Sequence, residues 1–558
     1  APTGRGRIVN RGNGSTKLPV VNFVDTWIAA KQDRDGIKPT AIAGDEEFLR
    51  RVTLDLTGEI PDTATVNAFL ADNSTDKRAK KIDALLKSEA FVDRWTMWFG
   101  DLVQNVQAAT NSREYYVGRN AYYNWTKDSI RSGKPYDQMV REALSGRGDS
   151  FSVGTANYAV RQLQNNGPPQ DTYDNLAAHS GERFLGMPLL CLSCHSGTGH
   201  LETVNTYLRG KTRSDFWGMA AFFARTRAPR ERYTDPNNPN ANIFKFNVSD
   251  AVAGNYTLNT TDGNKTPRTP EAGQSSSVTP KFILTGEAPR TGENYRDAYG
   301  RILTADRQFA RATVNYLWKE LFGLGIVEPA NSFDLNKLAT QPTHPELLEA
   351  LTDEFIAKGY NVRELLRTMT SSSTYQLSAK YTGGTWNEAW VPYYARRYPH
   401  RLMSEMLLDA IVKATGVTIP LQSQGIGNVA RAMQLADPLD LNRRSTIGLF
   451  LNNFGRGNRD DVMRTNDSSI SQALALMNDV IVTTRIKRTN AASTVAKTLA
   501  STSDPGAIAD QLYLATLSRK PTSTERQQAI THLQGGDLGQ RTEDLQYALL
   551  NSLEFLFN

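Results

Sequence analysis

Apolar residues recur three and four apart along most of this chain, and that spacing limits the elements it can build. Phe48, Leu49, Val52, Leu54 and Leu56 follow it until Gly58 and Pro61 interrupt. Asp62 then stands where an N-cap belongs, ahead of Val66, Phe69 and Leu70. A further helix runs through Ala79, Ile82, Leu85 and Leu86. Phe91, Trp95, Trp98, Phe99 and Leu102 form a broad stripe that reads as core. Tyr122, Tyr123 and Trp125 continue an aromatic-rich helix toward Pro135. This tyrosine-rich stretch reads as buried, with an interface as the alternative.

The pattern returns from Ala305. Phe309, Ala312, Val314, Leu317 and Trp318 make one helix, ended near Gly323 and Gly325. Pro345 opens another at the position where its missing N–H costs nothing. More helical spacing covers residues 362–375, 403–415, 469–485, 504–517 and 523–533, and a short helix is expected around Val20 to Lys31.

Between these halves the composition changes. Asn, Thr, Gly and Pro dominate residues 229–295, with short alternating pieces at Ile243–Val248 and Tyr256–Leu258 that read as strands joined by turns. Asn247, Asn255, Asn259 and Asn264 each begin an N-x-Ser/Thr sequon, read here as loop composition unless the source glycosylates it. A chain of 558 residues is too long for one hydrophobic core. The expected fold is mostly α: two helical domains joined by a short β-rich or irregular segment. The expected divisions are a polar lead and short helix over 1–44, a helical domain over 45–228, the connector over 229–295 and a second helical domain over 296–558.

Net charge is +6, but Lys and Arg alternate with Asp and Glu nearly everywhere, as in Asp76–Asp83. No basic face or arm stands out, so nucleic acid is not an expected partner and the charges read as solvated surface. No apolar run is long enough to span a bilayer. Ala1–Lys17 reads as the start of a mature chain rather than a signal peptide.

Both cysteines of the chain sit in Cys191-Leu192-Ser193-Cys194-His195. This C-x-x-C-H pattern suits one covalent haem c. Two thiols one turn apart form thioethers to the vinyl groups, and His195 supplies the proximal nitrogen to iron. Three other readings compete: a redox dithiol, a zinc site using Cys191, Cys194, His195 and His200, and a structural disulfide. A lack of other thiols fits an oxidising compartment, which places the protein in the periplasm or outside the cell. The distal iron ligand is open. His200, His400 and Met403 are the leading candidates, with Met187 and Met219 and the other histidines (179, 344, 532) behind them. His200 is alternatively a neighbour of the site, and the arginines of Arg396–Arg401 are candidates for pairing with propionates.

Several stretches together resemble a known family. Phe48-Leu49-Arg50-Arg51-Val52-Thr53-Leu54-Asp55-Leu56-Thr57-Gly58, Arg94-Trp95, Pro135-Tyr136-Asp137, Phe184–Leu190 before the motif and Ala220–Phe223 after it resemble the first of the paired domains of unknown function in planctomycete-type cytochrome c proteins. Val314–Trp318, Leu321–Pro329, Thr343–Leu348, Ser373–Ser378, Gln472–Asn478 and Leu512–Pro521 resemble the second. The family often follows its haem motif with Asp-His-Pro. Here Ser196-Gly197-Thr198-Gly199-His200 takes that place, and His200 stands in for the shifted histidine. The resemblance implies an exported, bacterial, haem-bearing protein and no particular reaction.

Three functions follow as expectations. The first is monohaem electron transfer with a redox partner protein. The second is a haem-dependent oxidoreductase or a redox subunit of an extracellular degradative system. The third is a structural or filament-forming protein, a homo-oligomer with haem as a staple.

Overall fold

A computed structural model describes residues 17–107, 115–259, 265–467, 472 and 476–558. The polar lead before Lys17, the Asn264 sequon and much of the segment 468–475 lie outside the described residues. Helices make up about 52% of the chain and strands about 7%. The helical periodicity therefore carried the fold class.

Several ends fall where local chemistry puts them. Asp45–Thr57 stops at Gly58, whose φ of 70° is the left-handed conformation that closes a helix. Asp62 caps Thr63–Ala71 by accepting the Thr65 N–H at 2.7 Å. Arg307–Phe322 ends at Gly323, and Pro345–Ala357 begins on its proline. Among the described residues, no helix is long and apolar enough to cross a membrane.

The chain divides into two compact units, and each draws on sequence from both sides of the connector. The first comprises Ala1–Asp25, Gln32–Trp98 and Thr370–Asn558. Its core packs Leu54, Ile60 and Met97 with Leu407, Ile411, Phe450, Leu512 and Phe555. The stretch Arg50–Asp55 is central here. Arg51 is 2% exposed and donates to the carbonyls of Tyr375 and Leu377 at 2.9 and 2.8 Å. Arg50 reaches the carbonyls of Thr516 and Phe555. Asp55 accepts from the Tyr375 hydroxyl, Arg397 and Asn558. The reading of the charges as solvated surface fails at these positions. A buried guanidinium is tolerable because its planar donors satisfy chain carbonyls that no water reaches.

The second unit comprises Thr26–Lys31 and Phe99–Met369. Its tyrosine-rich stretch is core: Tyr115, Tyr116, Tyr122 and Tyr123 are all at most 7% exposed. Tyr136 stacks on Phe309 at 5.7 Å, and Trp318 on Phe322 at 3.8 Å. The connector opens as a β insert. Strand Asn238–Asp250 pairs antiparallel with Gly148–Asp149, Thr226–Arg227 and Arg230–Asp235. Tyr256–Thr257 pairs with Ser277–Val278, and most of the remainder is irregular. Asn247 and Asn255 are exposed, and Asn259 is half-buried.

Candidate functional site

The C-x-x-C-H stretch lies in the second unit, directly after helix Pro169–Leu185. That helix ends at Gly186, with φ 63°. Pro188 follows, and Leu189–Ser193 winds as a 3-10 helix. Leu189 and Leu192 are fully buried and seat it. The docking needs a glycine beneath: a Cβ on Gly181 would lie 2.4 Å from Leu189 Cδ1. In a 3-10 helix side chains three apart eclipse one another. Cys191 and its C-cap Cys194 are three apart, with the Cys194 N–H bonded to the Cys191 carbonyl at 3.3 Å. Both thiols are free, Cys191 exposed and Cys194 half-buried.

Burial alone would push the Cys194 thiol up. Hydrogen bonds from the Thr266 backbone and side chain and from Ser193, with the nearby Lys265 charge, outweigh burial and hold it below its usual value.

His195 is half-buried, and its Nδ1 lies 3.1 Å from the Ser196 carbonyl oxygen. A carbonyl only accepts, so Nδ1 is the donor in this contact. The His200 ring lies over the face of His195, centroids 3.9 Å apart and planes 31° from parallel. An imidazole binds a metal within its ring plane. The His200 ring, with its centroid 3.9 Å from that of His195, lies to one face of it.

A buried frame holds the motif in place. Arg213 donates from Nε to the Ser193 carbonyl at 3.0 Å and from its two Nη atoms to the carbonyls of Pro267 and Thr266. Two residues on, Arg268 is fully buried. It bonds Asp171 and Asp174 at 2.6 Å each and the Tyr256 hydroxyl at 2.7 Å. Tyr256 in turn donates to Asp174 at 2.7 Å. Burial pushes the Asp174 carboxyl up, against the pull of Arg268 and Tyr256. Segment 265–268 is thus anchored at one end in this ion pair and touches Cys194 at the other.

The loop after the motif is equally fixed. Gly197 donates to the Lys211 carbonyl at 2.8 Å, and Thr198 Oγ1 to that of Arg209 at 3.2 Å. A Cβ on Gly197 would fall 2.0 Å from the Leu208 oxygen, so only glycine fits. Asn205 caps the turn Thr206–Arg209 and donates to the Phe333 carbonyl at 2.9 Å. Asp334 accepts the N–H groups of Thr206 and Tyr207 at 2.7 and 3.0 Å. Beside this pinned backbone, Leu190 and Val204 are 51% and 62% exposed.

Of the distal candidates in the second unit, His200 is the one that lies against His195. His400 and Met403 belong to the first unit. The His400 backbone pairs with Asn558, and Met403 lies in the hydrophobic core there. Met187 and Met219 are fully buried in the second unit. Buried His179 shares a hydrogen bond with the Tyr158 hydroxyl at 3.0 Å, and burial holds its pKa well below the usual histidine value. His344 opens helix Pro345–Ala357, and His532 faces the Arg541 carbonyl. Arg396 lies over Trp386, Arg397 pairs with Asp55, and Arg401 serves backbone carbonyls. The supporting residues Arg213, Thr266, Arg268, Asp171 and Asp174 were not apparent in sequence. The one available hint was the i, i+3 spacing of Asp171 and Asp174.

The donor set bears on the cofactor. Among the described residues no three His, Cys, Asp or Glu side chains group as a metal site. Haem c would need less from the protein: two thiols outside any disulfide and one imidazole beside them. Cys191, Cys194 and His195 fit that requirement.

Two family models match the chain. Residues 23–228 match PSCyt2, a protein of unknown function (DUF1549), and residues 300–533 match PSD1, a protein of unknown function (DUF1553). The chain therefore carries the two paired domains typical of planctomycete-type proteins. Each matched segment contributes residues to both compact units. No curated protein and no solved structure matches.

Proposed function

We propose that this chain carries one covalent haem c on Cys191, Cys194 and His195. In this reading it works outside the cytoplasm as a one-electron redox protein serving a partner protein. The observation that supports this best is the pairing of two free thiols, one on a 3-10 turn and one at its C-cap, with a histidine whose Nδ1 is tied to a carbonyl. When bound, the haem supplies a reversible one-electron couple. The chain's own residues do the rest. Cys191 and Cys194 tether, and the Ser196 carbonyl holds the His195 tautomer and ring direction. Arg213 and the Arg268 ion pair keep the turn rigid. Leu190 and Val204 offer apolar surface for the ring to cover.

The test is expression in cells with haem-maturation machinery, followed by the pyridine haemochrome spectrum of the denatured protein. The expected result is covalent haem in the wild type and none in the Cys191→Ala/Cys194→Ala double variant, with unchanged far-UV circular dichroism. A wild-type protein without a Soret band overturns the proposal.

A second reading rests on the lowered Cys194 thiol: a C-x-x-C dithiol cycling with its disulfide. It expects the same preparation to contain no haem and two titratable thiols that an oxidised dithiol reagent converts reversibly to a disulfide.

A further inference from the structure

Six histidines and ten methionines are the chain's supply of imidazole and thioether ligands, and every one lies among the described residues. In the unit that holds the motif, the methionines 139, 187, 219 and 369 are at most 3% exposed. His344 is 3% exposed at a helix start, and His179 is bonded to Tyr158. Within this unit that leaves His200, which is exposed.

His200 lies on the wrong side to serve as the distal ligand. Two nitrogens on opposite sides of one metal stand about 4 Å apart, at about 2 Å per metal–nitrogen bond. Their rings then point at each other through the metal, with centroids farther apart still. The His195 and His200 rings instead have centroids only 3.9 Å apart, with planes 31° from parallel. The backbone that carries His200 is held. Its N–H is bonded to the Gly197 carbonyl at 3.1 Å, Leu201 bonds the same carbonyl at 2.9 Å, and Gly197 is wedged against Leu208 and Arg209.

We infer that an iron held by His195 keeps its sixth position open to a small exogenous ligand with a lone pair, such as cyanide, azide, peroxide or a diatomic gas. His200 acts as a positioning residue that fixes the proximal ring by stacking. The inference rests on the haem reading above. It moves the protein from a closed electron carrier toward a ligand-binding haem.

Electron paramagnetic resonance and absorption spectra of the ferric holoprotein decide it. The expected result is a high-spin signal at neutral pH that cyanide converts to low-spin, with carbon monoxide binding the ferrous form. His200→Ala stays high-spin and changes cyanide affinity several-fold. His200→Phe keeps the stack without a ligating nitrogen and returns the affinity to the wild-type value. A low-spin ferric wild type that resists cyanide overturns the inference whichever residue supplies the ligand. So does a His200→Phe variant as impaired as His200→Ala, for the positioning role. A preparation with no covalent haem is a different failure, that of the parent reading, and the denatured haemochrome spectrum separates the two.

Discussion

Arg50–Asp55 in the first unit and Cys191–His200 in the second both stand out in sequence, yet the fold uses them oppositely. Around Arg50, Arg51 and Asp55 the polar groups are turned inward and matched to carbonyls, a hydroxyl and an amide. Around the cysteines the reactive groups are exposed or half-buried and form no disulfide: two free thiols and an imidazole. The first region is scaffold. The second is a reactive turn resting on scaffold of its own, the Arg213 and Arg268 frame. A sequence signature alone does not separate these roles; burial and partner count do. If the distinction is right, changes in the buried frames destabilise strongly, and changes at the motif remove chemistry and leave the fold.

The sharpest test removes Arg268. Its loss strands Asp171 and Asp174, both fully buried, beside one another. Breaking a buried pair from one side costs about 3–5 kcal/mol. Arg268→Ala should lower the denaturant midpoint by that measure or leave the second unit unfolded. A variant within 1 kcal/mol of wild type would mean that this ion pair is not scaffold.

The second prediction uses pH. Asp409 is buried and accepts the N–H groups of Ala432 and Met433 at 2.7 and 3.0 Å. Burial nevertheless pushes its carboxyl up to about 7. A folded pKa above the unfolded one means that folding takes up a proton. The stabilisation is complete below the unfolded value of 3.8 and is lost as pH rises toward 7. Asp409→Asn mimics the neutral acid and lacks that loss. The wild-type midpoint should therefore fall relative to Asp409→Asn between about pH 4 and pH 7, by a few kcal/mol in all, and run parallel above that. A constant difference across the range would show the carboxylate ionised throughout.

A smaller effect is expected where the scaffold meets the loop. Asp334 accepts two N–H groups at the start of Thr206–Arg209. Asp334→Ala should cost about 1–2 kcal/mol, the usual price of a lost cap. Hydrogen exchange at Thr206 and Tyr207 should rise with it. Protection unchanged at both amides would remove Asp334 from the account of how the loop is held.

Helix placement was legible because apolar spacing and punctuation agreed. Gly58, Asp62, Gly323 and Pro345 act through their own backbone chemistry, so each marked a boundary without tertiary information. The motif was legible because two thiols and a histidine occupy one pentapeptide. What escaped the sequence is non-local. Arg51 meets Tyr375, and Arg268 meets Asp171, across long stretches of chain. An arginine in an amphipathic helix looks the same whether it faces water or a carbonyl. The side of His195 on which His200 falls was equally hidden, because it depends on Gly197 fitting under Leu208.

The smallest expected change in stability is also the most discriminating. Cys191 is exposed and Cys194 half-buried, and neither thiol joins a disulfide. Replacing both with Ala removes no core packing, since Leu189 and Leu192 do the docking of that turn. Apo-protein with Cys191→Ala and Cys194→Ala should unfold within about 0.5 kcal/mol of apo wild type, as surface substitutions do. The same two changes should abolish covalent haem. A large loss of stability in the apo variant would place the cysteines among the scaffold residues, and the contrast with Arg50–Asp55 would then be one of degree only.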